Sequence, residues 1–151
     1  MIVVGIDPGI ARVGYGVIEG GKMRACGCIE TEKSEEHSRR LAEIYGRVSE
    51  ILDEHAPDWM AVEQLFFTRN KSSAMQVGEV RGVILLAAEQ RGIPIAEYTP
   101  NQIKLAVTGS GKAEKRQVQE MMRRLLGLDG IPRPDDAADG LAVALCHANT
   151  R

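Results

Sequence analysis

The 151 residues carry 19 Lys/Arg against 21 Asp/Glu, a formal net charge of −2, with 44% hydrophobic and 26% charged residues. That length suits a single domain, residues 1–151, with a continuous core and no need of disulfide or metal staples, and the odd set Cys26, Cys28 and Cys146 fits reduced, cytoplasmic thiols. No apolar run approaches the roughly 20 residues that span a bilayer, and MIVVGIDPG has no basic flank before its short apolar run, so neither a membrane protein nor a secreted one is expected.

In chain order, Met1 to Asp7 reads as a buried strand of β-branched residues that ends in the turn Asp-Pro-Gly, leaving a carboxylate at its C-terminal edge. Val13–Glu19 and Lys22–Thr31 continue as strands joined at Gly20-Gly21, a two-residue hairpin signal, so an antiparallel meander opens the fold. Leu41, Ile44, Val48, Ile51 and Leu52 mark an amphipathic helix that ends before Pro57. Trp59–Val62 is a second apolar run and stops at Glu63, again delivering an acid to a strand end.

The polar and aromatic loop QLFFTRNKSS follows, then a helix over Ala74–Gln90 that Ser73 and Gln76 are placed to open as a capping box. Its apolar residues cover more than one face, which predicts either a central position in the core or a surface shared with another subunit. Ile93–Tyr98 reads as a short strand, and Thr99-Pro100 with Gln102 as another capped helix start. Two more helices remain, one carrying the core stripe Val118, Met121, Met122, Leu125 and Leu126, the other beginning in RPDDAAD. The pattern predicts an α/β fold.

In that last helix Ala138, Leu141, Ala142, Leu145 and Cys146 recur at the spacing of one buried face, yet Asp135, Asp136 and Asp139 crowd its start. One acid there would cap free N–H groups and meet the positive end of the helix dipole. Three exceed what capping needs. Asp135, directly after Pro134, is the better cap candidate, which leaves Asp136 and Asp139 for another task, although spacing alone allows Asp135 with Asp139 as well.

Strands ending at Asp7 and Glu63 with a helical crossover between them should lie parallel and adjacent, so both acids reach one sheet edge. If Asp136 and Asp139 are brought to that edge, four carboxylates form an all-oxygen donor set suited to Mg²⁺ or Mn²⁺. Such a set suits hydrolysis of a phosphodiester, with two ions about 3.5–4 Å apart activating a water and stabilising the leaving oxygen. The charge distribution is compatible with a nucleic-acid substrate: residues 1–63 sum to −5 and residues 64–151 to +3.

The motifs GIDPG, AVEQLFF, AEKRQVQ and DAADGLAVA stand in the order found in RuvC Holliday-junction endonucleases, and the chain resembles that family over nearly its whole length. The resemblance implies a ribonuclease H-like fold, with a mixed five-stranded sheet and helices on both faces. It also implies a homodimer, Mg²⁺-dependent cutting of four-way DNA junctions, and RuvA and RuvB as branch-migration partners. It assigns Asp7, Glu63, Asp136 and Asp139 as metal-binding catalytic acids, Phe66 as an aromatic that stacks on an unpaired base, and Lys104 and Lys115 as cations beside the scissile phosphate. Phe67, a second aromatic where the family leads one to expect a single one, shares the stacking assignment; Arg69, Asn70 and Lys112 complete the expected DNA contacts. Relatives commonly run on into a short basic tail, whereas this sequence stops at Arg151, which suggests a trimmed chain or weaker non-specific contact with DNA.

Three other readings fit less well. Asp-Pro-Gly after a strand also resembles the phosphate loop of actin-like ATPases, but those need a second nucleotide-binding half. GSGKA at Gly109–Ala113 lacks the first glycine and the hydroxyl of a P-loop, because Ala106 and Ala113 stand there. A scaffold that only binds junctions would not need acids at all four positions.

Overall fold

The structure is a computed structural model that describes residues 1–64 and 71–150, with the side chains of Lys71 and Ser72 set aside. Its elements run β1 (Ile2–Asp7), β2 (Arg12–Glu19), β3 (Lys22–Glu30), α1 (His37–His55), β4 (Trp59–Glu63), α2 (Lys71–Gln90), β5 (Ile95–Tyr98), α3 (Pro100–Thr108), α4 (Lys115–Leu126) and α5 (Asp135–Thr150). The five strands form one sheet in the order β3-β2-β1-β4-β5. β1, β2 and β3 pair antiparallel, while β1, β4 and β5 pair parallel, so the sheet is mixed as expected.

The side-chain alternation of a strand divides the core in two. Val4, Ile6, Val17, Met60 and Val62 project to one face, where Ile44, Val48 and Leu52 of α1 and Val80, Ile84 and Ala87 of α2 cover them. Val3 and Ala61 project to the other, against Ile103 of α3, Met122 of α4 and Leu141 and Ala144 of α5. Asp7 and Glu63 share the parity of Val3 and Ala61, so the same alternation turns both carboxylates toward the α5 side.

Three helix starts bear on the predicted signals. At α3 the Thr99 hydroxyl accepts from the Gln102 N–H at 3.1 Å and the Gln102 amide oxygen accepts from the Thr99 N–H at 2.8 Å, the expected reciprocal cap. α2 begins at Lys71, so Ser73 lies inside its first turn rather than at the predicted cap. α5 begins at Asp135, which makes that residue the first helical one and not the cap; the Pro134 carbonyl accepts the Ala137 N–H at 2.9 Å. The acids nevertheless gain from the helix dipole at this position.

Helix α2 is not central. Val80, Ile84, Ala87 and Ala88 are buried, while Met75, Gly78, Gly82 and Leu86 leave an apolar, small-residue stripe open on the opposite side.

Candidate active site

The acids meet because the strand positions directly beneath α5 carry no side chains. Gly5 and Gly16 pair across β1 and β2, as do Asp7 and Gly14, and all three glycines lie beneath α5. A Cβ on Gly14 would fall 1.8 Å from the Asp136 carbonyl oxygen, one on Gly16 2.5 Å from the Leu141 Cα, and one on Gly5 2.3 Å from the Ala144 nitrogen. Gly140 on the helix itself allows equal intimacy, its Cβ position lying 2.5 Å from the Tyr15 Cα. Backbone therefore packs on backbone, and the first turn of α5 is lowered onto the end of β1.

As a result, one carboxylate oxygen from each of Asp7, Asp136 and Asp139 lies within 4.8 Å of the others. Glu63 is outside that tight set but within hydrogen-bonding reach of Asp7, as the parallel pairing of β1 and β4 requires. Crowding has an electrostatic consequence. Burial, reinforced by Glu63 and Asp136, pushes the Asp7 carboxyl up to about 8, and burial with the charge of Asp7 pushes Asp139 up to about 6.

Cations approach from two sides. Lys115 Nζ, at the start of α4, stands 3.5 Å from Asp139 and 3.8 Å from Asp135; partial burial works against its charge, but these carboxylates outweigh it and raise its pKa. Arg12 Nη1, at the start of β2, stands 3.5 Å from Asp136. Glu63, Asp139, Lys104 and Lys115 also line a cavity of about 330 Å³ between α3, α4 and α5. Lys112 lies apart from them, on a neighbouring cavity behind the loop that precedes α4.

Of the expected site residues, the structure thus brings together Asp7, Glu63, Asp136, Asp139, Lys104 and Lys115. Phe66, Phe67, Arg69 and Asn70 lie outside the described residues. Sequence reasoning missed two cations. Arg12 follows Asp7 by five residues across the turn, and its pairing with Asp136 depends on how low α5 sits. Arg81 of α2 donates to the Glu63 carbonyl at 2.8 Å and also pairs with Glu97, fixing the end of β4; in the sequence it reads only as a charge, close to Glu79, in a largely apolar helix.

A RuvC family model, for crossover junction endodeoxyribonuclease RuvC, matches residues 3–147. Among curated relatives, the crossover junction endodeoxyribonuclease RuvC of Moorella thermoacetica is 54% identical over 153 residues, covering 99% of this chain and 92% of that one. Its counterpart in Pseudothermotoga lettingae is 50% identical over 155 residues, covering 100% and 96%. T. thermophilus RuvC in complex with Holliday junction substrate superposes with a TM-score of 0.91 at 39% identity, covering 99% of this chain and 93% of that one. The yeast mitochondrial Holliday junction resolvase Ydc2, at 17% identity and a TM-score of 0.70, shares the fold. The sheet is ribonuclease H-like, and the chain belongs to the RuvC family of crossover junction endodeoxyribonucleases.

Proposed function

We infer that this chain is a Holliday junction resolvase that hydrolyses phosphodiester bonds of four-way DNA junctions at the Asp7–Asp136–Asp139 cluster, with Mg²⁺ as its cofactor. The observation that carries the reading is the convergence of those three carboxylates within 4.8 Å, with Glu63 beside Asp7, in a member of this family. The donor set fits a hard divalent cation: it is all oxygen, and Asp7 and Asp139 are packed where their negative charge is disfavoured unless a cation joins them. Asp7, Asp136 and Asp139 would hold the ion, with Glu63 positioned to share a second; Mn²⁺ meets the same requirements. A cation bound there supplies Lewis acidity, activating a water and stabilising the leaving oxygen.

The chain's own groups do the rest. Asp7 and Glu63, on neighbouring strand ends, and Asp136 and Asp139, on one helix turn, fix the donor oxygens on two rigid elements. Lys104 and Lys115 line the cavity beside Asp139 and offer ammonium groups to a bound phosphate. Lys115 must then exchange part of its contact with Asp139 for substrate, so it positions the strand and balances charge at the same atoms. Phe66 or Phe67, which follow Glu63 in the sequence, would stack on an unpaired base at the crossover, with Arg69 and Asn70 holding the adjacent backbone.

The open stripe Met75, Gly78, Gly82 and Leu86 supports a homodimer, because a two-fold pair of sites suits two symmetric cuts. Sedimentation should show a dimer that Gly82→Glu disrupts. RuvA and RuvB as partners, and a cytoplasmic location, follow from the family reading; no described helix is long and apolar enough to cross a membrane.

The test is direct. Purified protein is incubated with a synthetic four-way junction and with a linear duplex, with and without Mg²⁺. Paired cuts in the junction alone, dependent on the metal, are expected; equal cutting of both substrates, or cutting undiminished by EDTA, would overturn the reading.

A further inference from the structure

A second cavity lies next to the one beside the acids. A groove of about 630 Å³ runs between the loop after α3 and the outer face of α4, lined by Thr108, Ser110, Lys112, Arg116, Glu120 and Arg124. Its loop wall is held in place: the Thr108 hydroxyl donates to the Lys104 carbonyl at 2.7 Å and accepts from the Ser110 N–H at 3.1 Å, and the Ser110 hydroxyl accepts from the Lys112 N–H at 3.3 Å. The groove's one acid is already satisfied. Glu120 takes Arg123 at 2.6 Å and Arg124 at 3.2 Å, which lowers its pKa to about 2. Lys112 and Arg116 have no carboxylate within ion-pair distance among the described residues, so their charge faces solvent undiminished.

The groove is continuous with the candidate active site. Ala113 lines both cavities, and α4 presents Lys115 to the acids on one side while Arg116 and Arg124 face the groove on the other. A polyanion leaving the Lys104–Lys115 cavity along α4 therefore meets Lys112, Arg116 and Arg124 in succession. A small anion would need convergent donors in an enclosed pocket, whereas these cations are spread along an open trough, the arrangement that suits a repeating phosphate backbone.

We propose that this groove carries the phosphodiester backbone of the duplex arm next to the cut strand, with Arg116 and Arg124 as phosphate contacts beyond the active site. The proposal rests on the junction-resolvase reading and adds the path of the DNA outside the reaction centre. It makes a quantitative demand, since each phosphate neutralised contributes about 0.9 to the slope of log K against log salt.

The experiment measures four-way-junction affinity of the full chain in EDTA across a NaCl series, so that binding is read without cleavage. Arg116→Gln and Arg124→Gln should each make the slope shallower by about 0.9 per bound protomer, and the pair together by about twice that. Glu120 keeps Arg123 when Arg124 is replaced, so the variants should unfold at the wild-type temperature. Arg116→Lys, which retains the charge, should restore most of the slope. Arg47→Gln, on α1 across the sheet, serves as the control and should leave the slope unchanged. Wild-type slopes in both glutamine variants, or an equal change in the control, would overturn the groove while leaving the resolvase reading intact. A wild-type protein that binds junction no better than linear duplex would bring down both.

Discussion

The two faces of the sheet are packed by opposite means. Under α1 and α2, strand side chains such as Val4, Ile6, Met60 and Val62 interdigitate with Ile44, Val48, Leu52 and Ile84, so the helices are held off by a layer of aliphatic groups. Under α5, Gly5, Gly14 and Gly16 remove that layer and the helix rests on the strands themselves. An aliphatic layer can repack around a changed volume, but backbone in contact with backbone has nothing to adjust. The rigid contact is found where Asp7, Asp136 and Asp139 converge within 4.8 Å, and the adaptable one where only aliphatic groups are buried.

The largest effect is expected where the rigid face ends in chemistry. Asp7→Asn should reduce Mg²⁺-dependent junction cleavage by more than the roughly 10–100-fold that loss of an outer-shell partner costs, while metal-free junction binding stays near wild type. Gel shift in EDTA and single-turnover cleavage separate the two. Cleavage within a few-fold of wild type would remove Asp7 from the site.

Gly14→Ala probes the contact without touching a carboxylate. Its new carbon would meet the Asp136 carbonyl at 1.8 Å, so α5 has to rise, at a cost of about 1–3 kcal/mol or more. Cleavage should fall with the metal affinity, because Asp136 and Asp139 are carried away from Asp7. The matching change on the adaptable face, Ile44→Val in α1, should cost about 0.5–1.5 kcal/mol and leave the metal affinity unchanged. If the two variants lose metal affinity alike, the contrast between the faces fails.

Much of this was legible in the sequence. The strand-end acids Asp7 and Glu63 and their parallel adjacency follow from periodicity and the crossover rule, which act locally or between neighbours in the chain, whereas helix geometry left Asp135 and Asp136 both open beside Asp139 and the choice of Asp136 came from the DAAD motif of the family. The glycine bed was present at positions 5, 14 and 16, all with the parity of Asp7 on its strand or its pairing partner, but glycine within a strand announces a close approach without naming what approaches. Arg12 and Arg81 were illegible for the same reason: their partners, Asp136 and the Glu63 carbonyl, are set by how deeply α5 sits and how α2 crosses β4. The caps at Ser73 and Asp135 failed because a polar residue near a helix start is equally at home inside the first turn.

A subtler effect lies in the pH dependence of stability without metal. Asp7 and Asp139 have folded pKa values above their ordinary 3.8, at about 8 and about 6, so between those limits the folded state binds more protons than the unfolded one. Stability contributed by these groups is therefore greatest below about pH 4 and is lost as pH rises through 6 for Asp139 and 8 for Asp7. Asp7→Asn, which cannot ionise, should melt higher than wild type in EDTA at pH 8, by at least the roughly 2–4 °C that 1 kcal/mol represents at this chain length. The gap should narrow as pH falls and close only below about pH 4, and it should also close on adding Mg²⁺, which stabilises wild type alone. A gap that is constant with pH would show that the acids are not crowded in solution.

The smallest effect is expected one residue from the largest. Asp135 and Asp136 are consecutive on α5, yet Asp136 joins the carboxylate cluster while Asp135 points to Lys115 at 3.8 Å and Arg133 at 4.0 Å, with about half its side chain exposed. Its cap role is gone, since it is the first helical residue, and what remains is an acid at the positive end of a helix beside two exposed cations. The dipole interaction is worth about 0.3–1 kcal/mol and an exposed pair about as little. Asp135→Asn should therefore lower thermal stability slightly and leave cleavage within about two-fold of wild type, whereas Asp136→Asn should lose cleavage and keep its fold. The three-carboxylate geometry depends on this register: a dead Asp135→Asn beside an active Asp136→Asn would mean that α5 presents the other face of its first turn to the metal, and that the glycine bed seats the helix about 100° away from where it lies here.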